Sequence, residues 1–117
     1  MAKYSFTAPG LAPEKADQVI EILQARLNTY NDLHLTLKHV HWNVVGPSFI
    51  GVHEMIDPEV DAVRLNADAV AERIATLGGS PRGTVDAITK TRTWDDYPLD
   101  RALVPDHLAA LDKEYDR

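Results

Sequence analysis

Apolar residues recur at three- and four-residue steps along two long stretches of the chain, the signature of amphipathic helices. In the first, Val19, Leu23, Leu27, Tyr30, His34, Leu37 and His41 mark one face. Its start is signalled by Leu11-Ala12-Pro13-Glu14, with proline at the first helical position and an acid in the first turn. Gly46-Pro47-Ser48 stops it. A second helix is predicted from about Phe49 to Leu77, with Val52, Ile56, Val60, Val63, Val70, Ile74 and Leu77 as its apolar set. Gly78-Gly79-Ser80-Pro81 ends it. Pro58 falls inside this helix, removes the amide that would bond back to Glu54, and predicts a kink. That kink either wraps the helix around its core or sets the aim of Asp57.

Residues 82–97 read as a connection, with a short helix at Thr93-Trp94-Asp95-Asp96-Tyr97 in which Asp95 and Asp96 act as caps. Trp94 and Tyr97, three apart, are placed to pack the connection against the main helices. A third helix begins by Pro105 and carries Leu108, Leu111 and Tyr115. Strand patterns, internal repeats and low-complexity segments are absent. The class is all-α: two long helices, a short connecting helix and the start of a third.

Composition narrows the function. A chain of 117 residues, 44% hydrophobic and 26% charged, is expected to form one domain with a single core. There is no cysteine, which excludes disulfides, thiolate metal sites and thiol chemistry. No apolar run reaches the roughly 18 residues of a membrane span. Residues 1–10 lack an apolar core and read as a tail rather than a secretory signal, so a cytoplasmic location is expected. Twelve basic against eighteen acidic residues give a net charge of −6, which argues against broad electrostatic binding of DNA.

The residues that carry chemistry lie on the two long helices. His41, His53, Asp57, Asp68 and Glu72 supply two imidazoles and three carboxylates. That donor set suits iron or zinc better than calcium or magnesium. At roughly 100° per residue, His53, Asp57, Asp68 and Glu72 fall at about 0°, 40°, 60° and 100°, a single stripe. Along the axis they form two pairs, with Asp57 and Asp68 ~16 Å apart. One ion, or two ions ~4 Å apart, cannot touch both pairs of a straight helix. A two-fold axis laying this helix antiparallel to its copy brings the His53/Asp57 pair of one chain opposite the Asp68/Glu72 pair of the other. His41 precedes Gly46 by five residues and His53 follows it by seven, so the hairpin brings them to similar height. The bland alternative is a solvated face, with Arg64 and Arg73 neutralising the acids.

The run from Asn31 through His41-Trp42-Asn43 to Gly46, continuing through His53-Glu54-Met55-Ile56-Asp57 to Ala71-Glu72-Arg73 and Leu77-Gly78-Gly79, resembles the Dps family, the DNA-binding proteins from starved cells or mini-ferritins. The resemblance covers nearly the whole chain. Trp94-Asp95-Asp96-Tyr97 is similar to that family's short helix between its second and third main helices. The resemblance implies a ferritin-like bundle and a dinuclear iron (Fe) ferroxidase site. His41, His53 and Asp57 would come from one subunit, and Asp68 and Glu72 from its two-fold mate. It implies that Glu72 bridges or shifts as iron changes oxidation state, and that Trp42, beside a ligand, is either a core aromatic or an interceptor of radicals. His34 and His39 are expected to be structural or exposed.

The resemblance further implies a hollow dodecamer that oxidises Fe(II), usually with hydrogen peroxide, stores ferric mineral and so protects DNA. Relative to that family the chain has an N-terminal tail at 1–10 and an incomplete domain at 11–117, with the rest of the third helix and the fourth helix absent. Such a piece is expected to reach the dimer, with the closed cage in question. Competing classes are a nucleoid-compacting DNA-binding protein and a non-catalytic helical oligomerisation module. The tail offers only Lys3 before Glu14, so DNA binding is not supported by the charge of this chain.

Overall fold

The computed structural model describes residues 10–116. Four helices follow one another: α1 (Pro13–Asn43), α2 (Phe49–Thr76), α3 (Val85–Thr91) and α4 (Val104–Tyr115). Residues 1–9 of the expected tail lie outside the described residues. α1 starts on Pro13, as the sequence predicts, with Glu14 in its first turn. α2 runs unbroken through Pro58. The missing rung at Glu54 faces the exposed side of the helix and so is open to water.

The turn between α1 and α2 is tight. Gly46 has φ +95° and Ser48 φ +66°, and the Phe49 amide donates to the Gly46 carbonyl at 3.1 Å. Beyond α2, Gly78 takes φ +92° and Gly79 lets the chain pass close to α1. A Cβ at Gly79 would meet Ile20 at 2.9 Å and Ile74 at 3.1 Å. α1 and α2 therefore pack as an antiparallel pair in a body of 56 × 24 × 20 Å.

Two apolar clusters hold the pair together. One joins Leu33, Leu37, Val40, Val44, Ile56, Val60, Val63 and Leu111 near the hairpin turn. The other joins Ile20, Leu27, Ala67, Ile74 and Leu77 at the opposite end. The stripe predicted for α2 is the buried one. On α1 the burial is wider than the predicted stripe. Val19 is exposed, and Ile20, Leu33 and Val40 take core positions. A second face of α1 buries Gln24, Asn28 and Thr36. Gln24 donates to Asn28 Oδ1 at 3.0 Å and to the Arg82 carbonyl at 2.9 Å, and Asn28 donates to Thr91 Oγ1 at 2.9 Å. These bonds moor the connection to α1, and their polarity hides that face from a hydrophobic pattern.

Three local expectations are corrected. The short helix is at Val85–Thr91, capped by Thr84 Oγ1, which accepts from the Ala87 amide at 3.3 Å. Residues 93–97 are not helical, and Asp95 and Asp96 are exposed and cap nothing; Asp96 instead pairs with Arg92 at 3.5 Å. Trp94 and Tyr97 do tie the connection down. The Trp94 indole donates to Asp32 at 2.8 Å, and Tyr97 packs against the core. Strands are present after all, as a minimal parallel pair, β1 (Val44–Val45) with β2 (Ala102–Leu103). Two residues per strand are too few to leave an alternating pattern. Finally, α4 exposes Leu108 and Tyr115 and buries Leu111 and His107.

Gly79 and Gly51 give a paired test. Gly79→Ala forces a methyl onto Ile20 and Ile74 and should cost about 1–3 kcal/mol of unfolding free energy. Gly51→Ala, in helix α2 with nothing within 4 Å of the added carbon, should stabilise by up to about 1 kcal/mol. Urea denaturation of both variants reads the two signs directly.

Candidate metal centre

The α1–α2 turn brings His41 and His53 face to face. Their rings stack at 3.6 Å between centroids, within 16° of parallel. Each ring donates from Nδ1 to the other residue's backbone carbonyl: His41 to the His53 carbonyl at 2.6 Å, and His53 to the His41 carbonyl at 2.7 Å. A carbonyl only accepts, so both Nδ1 atoms carry hydrogen. In the neutral tautomer the lone pair then belongs to Nε2 of each ring. A backbone acceptor on one imidazole nitrogen is the usual way that a ligating histidine is oriented and made more basic.

Asp57, one turn beyond His53, joins this end. Its carboxylate lies 3.6 Å from His41 Nδ1 and accepts a hydrogen bond from Lys38 Nζ at 3.0 Å. That hydrogen bond, aided by the charges of His41, Lys38 and His53, holds the Asp57 carboxyl below its ordinary value of 3.8. Lys38 also lies over the Trp42 ring, 5.8 Å from its centroid. Trp42 itself is 70% exposed, not a core aromatic within this chain.

Asp68 and Glu72 stand on the same helix further from the turn, and both are exposed. Asp68 borders a cleft of about 330 Å³ with His34 and Arg64. Burial and the Arg64 charge push the His34 imidazole below its ordinary value. Because α2 is continuous, the ~16 Å between Asp57 and Asp68 stands. His41, His53 and Asp57 are thus brought together, and Asp68 and Glu72 are not. Among the described residues of one chain, no three such side chains are grouped to hold an ion.

The fold and these motifs can be set beside known proteins. The ferritin-like domain family matches residues 20–117. The DNA protection during starvation protein of Mycolicibacterium smegmatis is 69% identical over 111 residues, covering 95% of this chain and 61% of that protein. A solved structure of Mycobacterium smegmatis Dps, 68% identical, superposes with a TM-score of 0.94 over 97% of this chain and 68% of that one. The chain belongs to the Dps family. A second solved Dps, DpsA14 from Streptomyces coelicolor, is 57% identical with a TM-score of 0.94, over 98% of this chain and 70% of its own. The ferritin-like bundle inferred from the sequence is therefore the fold of this Dps chain. Among the described residues, no helix is long and apolar enough to cross a membrane.

Sequence reasoning missed Lys38. The signal was present: Lys38 lies one turn before both His41 and Trp42 in α1, on the side from which a cation could reach the next helix. His39 takes the structural one of its two expected roles: its Nε2 donates to the Leu99 carbonyl at 2.6 Å and pins the connection.

Lys38→Met should return the Asp57 titration upward toward 3.8, read from the side-chain carboxyl carbon by NMR. A carboxyl held low in the folded state contributes stability above its unfolded value that is lost as pH falls below it. The acid limb of the stability profile should therefore be shallower in Lys38→Met than in the parent. An unmoved Asp57 titration would mean that Lys38 does not set it.

Proposed function

We propose that this Dps chain forms the ferroxidase half-sites of an iron-oxidising mini-ferritin, with each dinuclear site completed by a second copy. The observation that carries this reading is the reciprocal histidine clamp. It leaves the lone pair of each ring on Nε2 at the hairpin end, and the Asp57 carboxylate joins the clamp 3.6 Å from His41 Nδ1. In a two-fold dimer with α2 antiparallel to its copy, Asp68 and Glu72 of the second chain supply the remaining carboxylates.

The outer surface of the pair suits such a partner. Trp42, Met55 and Leu65 are 70%, 51% and 71% exposed. Leu35, Lys38, Trp42, Asp57, Val60 and Arg64 line an open cleft of about 530 Å³. Exposed large apolar side chains favour burial against another surface, and the mixed charges lining the cleft suit a self-complementary contact.

The chemistry follows from the donor set. Fe(II) is the substrate, and His41 and His53 supply borderline nitrogen donors while the carboxylates neutralise the charge gained on oxidation. Two Fe(II) held together give hydrogen peroxide both electrons at once. The O–O bond breaks to two hydroxides, and no one-electron oxygen species is released. An acidic, cytoplasmic chain can protect DNA in this way without binding it, in keeping with the name of its Mycolicibacterium relative. Assembly toward a dodecamer and storage of ferric mineral are assigned to the whole protein, since this chain spans 61% of that relative's length.

Mixed dimers test the shared site. One variant carries His53→Ala with Asp57→Ala; another carries Asp68→Ala with Glu72→Ala. Each alone should oxidise Fe(II) poorly, because every site lacks half its donors. Co-refolded at random, the two should recover roughly a quarter of the parental sites, since half the dimers are mixed and one of two sites in each is intact. Verified mixed dimers without activity would rule out a site shared in this way.

A further inference from the structure

A second pair of rings lies away from the histidine clamp, between the connection and α4. His107 is fully enclosed, with no exposed surface. Tyr97, half-buried, lies parallel to it within 5° at 5.9 Å between centroids, and its phenol oxygen is 2.7 Å from His107 Nδ1. Burial and the negative charge of Glu114 push the Tyr97 phenol up to about 12. The phenol therefore keeps its proton and must donate it to an acceptor. The His107 carbonyl, at 3.5 Å, is at the limit of a hydrogen bond, so Nδ1 is the acceptor. The imidazole proton then belongs to Nε2, which has no partner among the described residues. A histidine in this enclosed position bears a desolvation cost that leucine would avoid. An unsatisfied buried nitrogen of this kind calls for a role.

The other side of Tyr97 is open. Its ring borders a cleft of about 520 Å³ together with His39, Trp42, Arg92 and Asp96. The His39 ring meets it edge-on at 5.8 Å. Tyr97 thus has an oxidisable ring toward an accessible cleft and a proton acceptor toward the interior. Removing an electron from a phenol makes its proton strongly acidic. A base already within hydrogen-bond reach lets both leave together and avoids the high-energy radical cation.

We propose that Tyr97 is a redox-active tyrosine that gives an electron to a one-electron oxidant of the hydroxyl-radical class and its phenolic proton to Nδ1 of His107. The oxidant is reduced to hydroxide. The O–H bond of Tyr97 breaks and an N–H bond forms at Nδ1, leaving a neutral tyrosyl radical hydrogen-bonded to an imidazolium. A one-electron reductant such as ascorbate or Fe(II), itself oxidised by one electron, refills the radical, and the proton returns from Nδ1 to the phenol oxygen. The pair scavenges single-electron oxidants that a two-electron ferroxidase does not consume, and its operation does not depend on the metal centre.

Pulse radiolysis of the full, metal-free chain, with the azidyl radical as the oxidising probe, tests this without iron. Its outcome is therefore separable from that of the ferroxidase reading. The parent should give a long-lived tyrosyl absorption, and Tyr97→Phe should lose that long-lived part. His107→Gln accepts the hydrogen bond but cannot take the proton, and should lower the tyrosyl yield several-fold while circular dichroism stays unchanged. If His107→Gln does not fold, high-field EPR of the parental radical decides: a lowered largest g value reports a hydrogen bond from a charged donor. An undiminished tyrosyl signal in Tyr97→Phe would overturn the proposal. So would a folded His107→Gln with parental yield and lifetime, or g values of a phenoxyl without a hydrogen bond.

Discussion

The crossed hydrogen bonds between His41 and His53 hold the end of the α1–α2 hairpin on which the candidate site depends. Each ring closes onto the other residue's carbonyl, at 2.6 and 2.7 Å, so neither helix can slide or rotate without breaking both bonds. The same two bonds fix the tautomer of both imidazoles. One structural device therefore engages two partly buried backbone carbonyls, sets the register of the hairpin and fixes which nitrogen of each ring keeps the lone pair. Lys38 adds a third element, holding Asp57 ionised beside the pair. The proposed half-site thus stands on helices, which favour precise placement of donors over a site built on loops.

The rest of the fold supports that end from below and from the side. The cluster around Leu37, Val40 and Ile56, each 1% exposed or less, lies directly beneath the histidine pair. The minimal β1–β2 pairing fastens the connection to the turn, and His39 fastens it again through the Leu99 carbonyl. At the far end, Gly79 allows a contact with Ile20 that a side chain would block. The exposed Trp42, Met55 and Leu65 are the counterpart of this rigidity. A helix pair this regular presents a continuous outer face, and the stripe of Asp57, Asp68 and Glu72 runs along it.

Much of this was legible in the sequence because helices write their burial in a simple period. The boundaries at Pro13 and Gly78 and the apolar set of α2 follow from proline, glycine and spacing alone. The clustering of His41, His53 and Asp57 was readable too, because a five-residue turn leaves little freedom in how the helices meet. Three kinds of feature were not. The buried polar face of α1, with Gln24 and Asn28, looks like a solvated face until its distant partners Arg82 and Thr91 are known. The two-residue strands are shorter than any pattern. His107, buried where Leu108 was expected, is held by Tyr97 across ten residues, an irregular connection that no periodicity describes. The proposed placement of Asp68 and Glu72 opposite a second His53/Asp57 pair would belong to an assembly, which a single chain expresses only through its stripe.

In the proposed shared site, iron and the second copy complete one another's binding. Binding and association are then linked, and each must strengthen the other by the same factor. Sedimentation equilibrium under anaerobic conditions, with and without Fe(II), measures this directly. Fe(II) should shift the chain toward the dimer, saturating at a fixed ratio of ions to chains, and the shift should vanish in the variant lacking the Asp68 and Glu72 carboxylates. An association constant that Fe(II) leaves unchanged, with iron bound equally well by the monomer, would contradict the shared site.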